Sequence, residues 1–179
     1  DSSGSTIGPL SSVFSVKESL MTIPLQTGWN LISLPKRASD SSASVVFSDA
    51  SISTVMTTSR STQGSISCTP QDYDAGNFHG GNLVNVSHGN AYWVYTTDST
   101  SIVTATASVS SEGAPALPPS IPVQRGWNLI GIIDLGSQAI GTSISADTYL
   151  GSVSWSSAKS FSAITGEFTT LLPKTGARL

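Results

Sequence analysis

The residues whose types and spacing are best suited to chemistry lie between Gln71 and Asn82. Within this stretch Asp72, Asp74 and Asn77 offer side-chain oxygens close to a glycine, and calcium binds several such oxygens around a turn that glycine permits. The distal glutamate of a twelve-residue calcium loop is absent. Because Asp, Asn and Gly also dominate ordinary turns, we favour a solvated turn and keep a calcium site as the alternative.

The two histidines, His79 and His88, raise the question of hydrolytic or metal chemistry. A hydrolytic triad needs a histidine beside an activated serine and a carboxylate, but no Gly-X-Ser-X-Gly motif is present. Serine is so abundant here that its proximity to a histidine carries no information. Two histidines and the single Cys68 also do not form a known zinc spacing. We therefore predict no enzymatic activity and, apart from the calcium alternative, no cofactor.

Aromatic residues supply a different kind of candidate site. Tyr92, Trp93 and Trp155 are candidates for ligand binding, since exposed aromatic rings stack on sugar rings while Asn and Asp bind the hydroxyl groups. Nearby, Asn85 begins an Asn-Val-Ser triplet that fits the N-glycosylation pattern. These residues favour an extracellular protein, with glycans as an alternative class of partner.

The composition limits the class of partner further. Charged residues make up only 11% of the 179 residues, and the formal net charge is -3, whereas 35 serines and 19 threonines give a neutral, hydroxyl-rich surface. Phosphate backbones and anionic lipids are recognised by clustered Lys and Arg, so we expect no nucleic-acid partner. No apolar run approaches the ~18 residues of a membrane helix, so we expect no membrane insertion by this chain.

The elements that position these residues follow from an internal repeat. Residues 23–34 read IPLQTGWNLISL and residues 121–132 read IPVQRGWNLIGI. The offset from Gly28 to Gly126 predicts two tandem modules, and the proline-containing stretch 110–120 between them is typical of a linker.

Each copy of the motif predicts a tight turn at glycine followed by a strand. Alternation with period two places Trp and Leu on one face of the strand and Asn and Ile on the other. Paired tryptophans in a repeat usually fill the cores of their modules, so we predict Trp29 and Trp127 as core residues. Asn30 and Asn128 should bond neighbouring backbone groups, as a buried amide requires. A glycan-binding asparagine beside an exposed tryptophan stays open as the alternative.

The remaining segments predict an all-β chain of short antiparallel strands, arranged as two tandem small sandwich or barrel-like domains. These segments are rich in Val, Ile, Thr, Tyr and Phe and are separated by turn residues. They cover residues 44–50, 52–58, 64–70, 90–97, 101–109, 148–157, 159–164 and 166–172, with one helical turn near 41–46. The predicted divisions are an N-terminal extended segment (1–22), a first module (23–109), the linker (110–120) and a second module (121–179).

The second module is expected to lack its last strand. In the first copy the aromatic strand beginning at Ala91 follows Gly28 by 63 residues, whereas 53 residues follow Gly126 and contain no matching aromatic strand. A vacant sheet edge invites strand addition, with residues 13–23, another chain or a neighbouring copy as the donor. The alternative is that the second copy has diverged and closes differently.

A resemblance adds to this interpretation. The combination of GWNLISLP at 28–35 with HGNAYWVY at 88–95 resembles the GWNLISLP...GYWV modules of large secreted and cell-surface proteins of bacteria and archaea, some of them surface-layer or adhesin-like. In place of the glycine that precedes the aromatic strand in that family, this chain has Ala91. The resemblance implies an extracellular β building block with no shared catalytic residues.

Together these observations predict a non-enzymatic structural module of an extracellular or cell-surface assembly, which self-associates or accepts a strand. Its partners would be like copies or the remainder of a larger surface protein, because low charge reduces repulsion between like surfaces. Two alternatives remain: a carbohydrate-binding or adhesion module that uses exposed aromatics, and an extracellular hydrolase that uses the loop from Asp72 to His79.

Overall fold

A computed structural model describes residues 19–59, 69–74, 83–106, 121–133 and 145–174. Every strand pairing in these ranges is antiparallel and both helices are single turns, which confirms the predicted all-β class. No helix within these ranges is long and apolar enough to cross a membrane. The elements are β1 (Ser19–Leu25), β2 (Gly28–Ser33), α1 (Ala43–Val46), β3 (Ile52–Ser59), β4 (Thr69–Asp74), β5 (Ala91–Thr96), β6 (Thr100–Thr106), α2 (Ala146–Tyr149), β7 (Ala158–Ser162) and β8 (Glu167–Leu171).

In the first half of the chain (residues 19–106), two long segments, 19–33 and 91–106, run antiparallel to each other. Both segments pass from one sheet to the other. Strand β1 pairs with β6 from Ser19 opposite Thr106 to Leu25 opposite Thr100. Both segments then bend, and β2 pairs with β5 starting from Gly28 opposite Thr96. Pro24, which cannot donate a ladder hydrogen bond, lies in β1, which pairs with β6 alone among the strands that the structure describes. This agrees with the expected place of proline at a sheet edge.

The larger sheet contains four strands in the order β2-β5-β3-β4. The aromatic strand β5 is therefore central, with β2 on one side and β3 on the other. The pairing of β3 with β5 contains an irregularity between Ile52 and Thr54, where a bulge increases the local twist. Beyond it, β4 pairs with β3 from Thr54 opposite Asp74 to Ser59 opposite Thr69.

One hydrophobic core joins the two sheets and the segments between them. Alternate residues of β1 and β6 point inward, as period two requires: Met21 and Leu25 of β1 are buried, and so is Ile102 of β6. Val94 of the aromatic strand β5 is buried as well. The other buried members of the cluster come from α1, β3, β5 and the loops, namely Leu34, Ala38, Ala43, Val46, Phe47, Ile52, Val55, Leu83, Val86 and Tyr92.

Two predicted strands are wrong. Residues 44–50 do not form a strand, because Ala43 and Val46 are buried on one side of the single helical turn α1. The segment 148–157 likewise contains the end of α2 and a turn. The side chain of Ser145 caps α2 by accepting a hydrogen bond from the backbone N–H of Thr148 at 3.1 Å, an N-terminal arrangement that favours helix over strand.

The second half contributes α2 and the hairpin β7–β8, in which Ala158 pairs with Leu171 and Ser162 with Glu167. The second motif, residues 121–133, forms no strand ladder with any residue that the structure describes. Strand β1 starts at Ser19, within the predicted N-terminal extended segment 1–22. Division into two tandem domains stays a prediction, and the predicted linker 110–120 lies outside the described residues.

Candidate functional site

The asparagine of the first motif closes the bend between β1 and β2. The backbone N–H of Gln26 donates to the Asn30 Oδ1 at 2.9 Å, and the Asn30 Nδ2 donates to the carbonyls of Gln26 at 2.7 Å and Gly28 at 3.0 Å. A longer bond of 3.4 Å runs from the same Nδ2 to the Val94 carbonyl of β5. The chain can turn this tightly because Gly28 has a φ of +97°, which is open to glycine.

The second motif contains the same arrangement. Asn128 accepts a hydrogen bond from the N–H of Gln124 at 2.9 Å and donates to the carbonyls of Gln124 at 2.8 Å and Gly126 at 3.0 Å. Gly126 has a φ of +105°. We call this set of three hydrogen bonds the asparagine clasp. Both asparagines bond neighbouring backbone groups, as the motif predicts, and the clasp forms in both motifs.

The tryptophans of the two motifs lie outside the core, so their predicted role as core residues is wrong. Trp29 is 38% exposed and Trp127 is 71% exposed, whereas Asn30 is 3% exposed. The predicted alternation along β2 is present, but the Asn and Ile face is the one turned inward. The physical reason is that the Asn30 amide must reach the backbone on the inner side of the bend, which leaves Trp29 on the outer face of the sheet.

That outer face holds a cluster of aromatic rings. Trp29 lies 5.2 Å from Tyr95 and 6.3 Å from Trp93, measured between ring centroids. The hairpin β7–β8 covers part of this face, placing Phe161 and Phe168 at 5.0 Å and 5.9 Å from Trp93. The contacts between the hairpin and Trp93 are edge-to-face, a favourable geometry for aromatic pairs. The second half of the chain therefore packs on the first through β5.

A second contact joins the two halves at a glycine. The backbone N–H of Gly131 donates to the Gly89 carbonyl at 3.0 Å, and a Cβ at residue 131 would lie 2.7 Å from the carbonyl carbon of Asn90. In the first motif the equivalent residue is Ser33. This difference between the two copies falls where only a glycine fits against the neighbouring backbone.

Two tyrosine hydroxyls form hydrogen bonds with backbone groups of loops. Tyr149 of α2 donates to the Gly131 carbonyl at 2.8 Å and accepts from the Ile133 N–H at 3.2 Å. In the first half, the Tyr92 hydroxyl accepts from the Ser87 N–H at 2.7 Å. Burial raises the pKa of both phenols, and the hydrogen bond from the Ser87 backbone partly opposes this for Tyr92. Both hydroxyls therefore act as neutral hydrogen-bonding groups.

The predicted ligand-binding aromatics do not form one surface. Tyr92 is 0% exposed, so its predicted role in sugar stacking is wrong: it points into the core from β5. Trp93, its neighbour on that strand, points to the opposite face and is half-buried beneath the hairpin. Trp155 is half-buried in the segment that precedes β7.

The two aspartates predicted as calcium ligands lie on a strand, whereas the sequence predicts a loop. Asp72 and Asp74 belong to β4, where they pair with Met56 and Thr54 of β3, because this segment continues the sheet instead of turning. Asn77 and His79 lie outside the described residues. The calcium site stays a prediction, although its two aspartates lie along an extended ladder.

The predicted glycosylation residue Asn85 is exposed and forms an isolated bridge with Ser42. Ser87, the third residue of the triplet, is exposed as well. The structure thus places Asn85 and Ser87 on the surface, while Val86 between them is buried in the core. The modification of Asn85 stays a prediction.

Asp49 is a structural carboxylate that the sequence analysis missed. It accepts hydrogen bonds from the Ser51 backbone N–H at 2.9 Å, from the Ser51 hydroxyl, and from the Thr100 hydroxyl at 2.6 Å. These bonds lower its pKa, with the Ser51 hydroxyl as the largest cause and Thr100 next. The spacing of Asp49 and Ser51 is typical of an Asx turn and would have identified the local part of this arrangement.

Comparisons of this chain with protein-family models, with curated proteins and with solved structures found no match.

Proposed function

We propose that this chain is a non-enzymatic structural module of an extracellular or cell-surface protein assembly. The observation that carries this proposal is how both motifs use the side chain of their asparagine. Asn30 and Asn128 bond the backbone of their own chain, and the hydroxyls of Tyr92 and Tyr149 do the same. These groups hold chain segments in place, which favours a structural role for the protein.

Composition supports the same proposal. A surface rich in serine and threonine with 11% charged residues brings little electrostatic repulsion when like modules come together. The resemblance to GWNLISLP...GYWV modules supports the extracellular or cell-surface location. A β-sandwich arrangement of each module fits the pair of sheets that share one core in the first half.

The test combines cell fractionation with light scattering. We expect the protein from its native source in the envelope or extracellular fraction, in particles larger than the 18.4 kDa of this chain. Because the surface has few charges, the association should persist in 1 M NaCl. A monodisperse monomer confined to the cytosol would contradict the proposal.

Glycan binding is the second candidate, favoured by one observation. Trp29 and Tyr95 are each 38% exposed and adjacent on the same sheet face, and such a pair offers apolar ring surface to a sugar. If this candidate is correct, a glycan array should give a hit that Trp29→Ala abolishes while folding is retained. Replacement of exposed Val103 provides the matched control, since Val103 lies on the other sheet.

A further inference from the structure

We propose that the hairpin β7–β8 is a lid on the aromatic outer face of the larger sheet, and that it opens while the first half stays folded. The closed position of the lid is the one seen in the structure, with the hairpin on Trp93. The movement takes place within the chain itself, so the inference goes beyond the structural role proposed above. Opening of the lid changes how far solvent and ligands reach Trp93.

The lid belongs to a part of the chain without a core of its own. Residues 145–174, which contain α2 and the hairpin, include no buried residue. All five residues of β8 are exposed, and β7 contains only exposed and half-buried residues. The hairpin also forms no ladder with any other strand that the structure describes. Because a two-stranded hairpin is only marginally stable by itself in water, its contacts with the first half decide whether it stays closed.

The contact that closes the lid lies at Trp93. Phe161 and Phe168 stand opposite each other in the hairpin, and their ring centroids lie 5.0 Å and 5.9 Å from that of Trp93. In this position Phe168 is still 54% exposed and Phe161 is half-buried. The Lys159 ammonium lies 5.7 Å from the centre of the Trp127 ring, a contact that contributes little because Trp127 is 71% exposed. Since stabilisation scales with the apolar area removed from water, this closure is weak.

The second motif and α2 are attached to the first half by other contacts. The Gly131 N–H donates to the Gly89 carbonyl, and Ile133 is buried against Gly89, where a Cβ would lie 3.0 Å from its Cδ1. The Tyr149 hydroxyl of α2 bonds to backbone groups of Gly131 and Ile133. None of these contacts involves the hairpin. The motif and α2 therefore stay in place when the hairpin leaves Trp93.

Two hinge points beside α2 define the movement. Residues 150–157, between α2 and β7, form neither helix nor strand. Beyond β8, the backbone N–H of Lys174 donates to the Asp147 Oδ1 of α2 at 3.3 Å. Both ends of the hairpin thus lie next to the same helical turn, so the hairpin can swing away from Trp93 as one unit.

Opening of the lid enlarges one accessible surface. In the closed position Trp29 and Tyr95 are each 38% exposed, whereas Trp93 is half-buried. The three rings are contiguous, because the Trp29 centroid lies 6.3 Å from that of Trp93 and 5.2 Å from that of Tyr95. The lid therefore decides whether two or three adjacent rings are available to a partner that stacks on aromatic rings.

The test follows Trp93 and the backbone of the hairpin in the intact chain. With fluorinated tryptophan incorporated, the fluorine NMR signal of Trp93, assigned with Trp93→Phe, should show relaxation dispersion on the microsecond-to-millisecond timescale of lid motions. Hydrogen exchange should show amides of 158–162 and 167–171 exchanging about 100-fold faster than those of 91–96. Low concentrations of urea should accelerate exchange at 91–96 but barely change it in the hairpin, because opening of the lid exposes less surface than unfolding of the first half.

A matched pair of variants tests the closing contact. Phe161→Ala should raise the open population about tenfold, move the Trp93 fluorine signal and accelerate hairpin exchange by the same factor. Phe161→Leu should give smaller changes in the same direction. Ile164→Ala is the control, because Ile164 is 84% exposed at the turn of the same hairpin, and it should change neither measurement. In every variant the amides of 91–96 should stay slower than those of the hairpin, which shows that the first half is folded when the lid is open.

Two outcomes would overturn the inference. Exchange of the hairpin amides at the rate of 91–96 would show that the hairpin opens only when the first half unfolds. Fast hairpin exchange with no dispersion at Trp93, in either the original chain or Phe161→Ala, would show fraying of the strands while the two phenylalanine rings stay in place. Neither measurement depends on where the protein is located or whether it assembles, so the result is independent of the proposed function.

Discussion

At the scale of single residues, Asn30 and Asn128 make the same backbone hydrogen bonds in different surroundings. Asn30 is buried at the edge of the core, whereas Asn128 is exposed to solvent on part of its surface. A hydrogen bond lost in a buried place leaves donors and acceptors without water to replace it. The same amide therefore stabilises the two halves to different extents.

This contrast gives a matched pair of substitutions. Asn30→Ala should lower the free energy of unfolding by about 2–4 kcal/mol, because several buried backbone groups lose their partner. Asn128→Ala should cost less than about 1 kcal/mol, since water reaches the groups that it leaves. Urea denaturation followed by circular dichroism measures both. Equal losses would show that burial does not control the strength of the clasp.

Asp49 predicts a dependence of stability on pH. The hydrogen bonds from Ser51 and Thr100 lower the pKa of its carboxyl group in the folded chain, relative to about 3.9 in an unfolded chain. The stabilisation is therefore fully present above this unfolded value and is lost as pH falls through the lower, folded value. Asp49→Asn should flatten this part of the melting-temperature profile between pH 5 and pH 2.

Thermal melting across that pH range provides the measurement for Asp49. Thr100→Val, which removes one of the donors, should flatten the profile in part. Parallel profiles for Asp49→Asn and the unchanged protein would contradict the assignment.

At the scale of elements, the sequence predicted the alternation of β2 but not which face would be buried. Alternation with period two separates the two faces of a strand, but it does not indicate which face is buried. Trp29 was expected inside, because tryptophan carries the larger apolar area. Here the outer face of the sheet is itself partly covered by the hairpin β7–β8, so Trp93 is half-buried on that face, whereas Trp29 stays 38% exposed. That cover depends on a contact between residues far apart in sequence, which no local pattern contains.

The hairpin contact can be tested at Phe161 and Phe168. Phe161→Ala should cost about 1–3 kcal/mol, less than a fully buried Phe→Ala replacement, because the hairpin covers only part of the aromatic face. Phe168, which is 54% exposed, should contribute less. The indole N–H signal of Trp93 in an NMR spectrum should shift in both variants, while Lys159→Ala leaves it in place. An unshifted Trp93 signal in Phe161→Ala would contradict the packing described here.

At the scale of the whole molecule, the two copies of the motif form the same bend and the same asparagine clasp, but their sequences did not predict how the halves meet. The second motif forms its bend and its asparagine clasp from local residues alone, so the sequence was sufficient for those features. Gly131 has a different role: its lack of a side chain admits the backbone of Gly89 and Asn90. The second motif has Gly131 where the first has Ser33, and this difference alone does not predict the contact.

Gly131 therefore contributes to the joining of the halves, together with the aromatic contact of the hairpin. Gly131→Ala places a Cβ within 2.8 Å of backbone carbons at Gly89 and Asn90, so this contact between the halves should be lost. We expect limited proteolysis of the segment between 107 and 120 to become at least several-fold faster. Ile132→Ala, at an exposed neighbouring position, should leave the cleavage rate unchanged. Equal rates for both variants would show that this contact does not hold the halves together.

The pairing of β1 with β6 determines how the first half would respond to tension. Ser19 and Thr106 lie opposite each other at one end of this antiparallel pair, where the Thr106 hydroxyl also donates to the Ser19 carbonyl at 2.7 Å. Tension applied through these two residues loads the ladder one bond at a time, as a zipper opens, instead of shearing all bonds together. The first half would then extend at low force, and the two strands would separate first at Ser19 and Thr106.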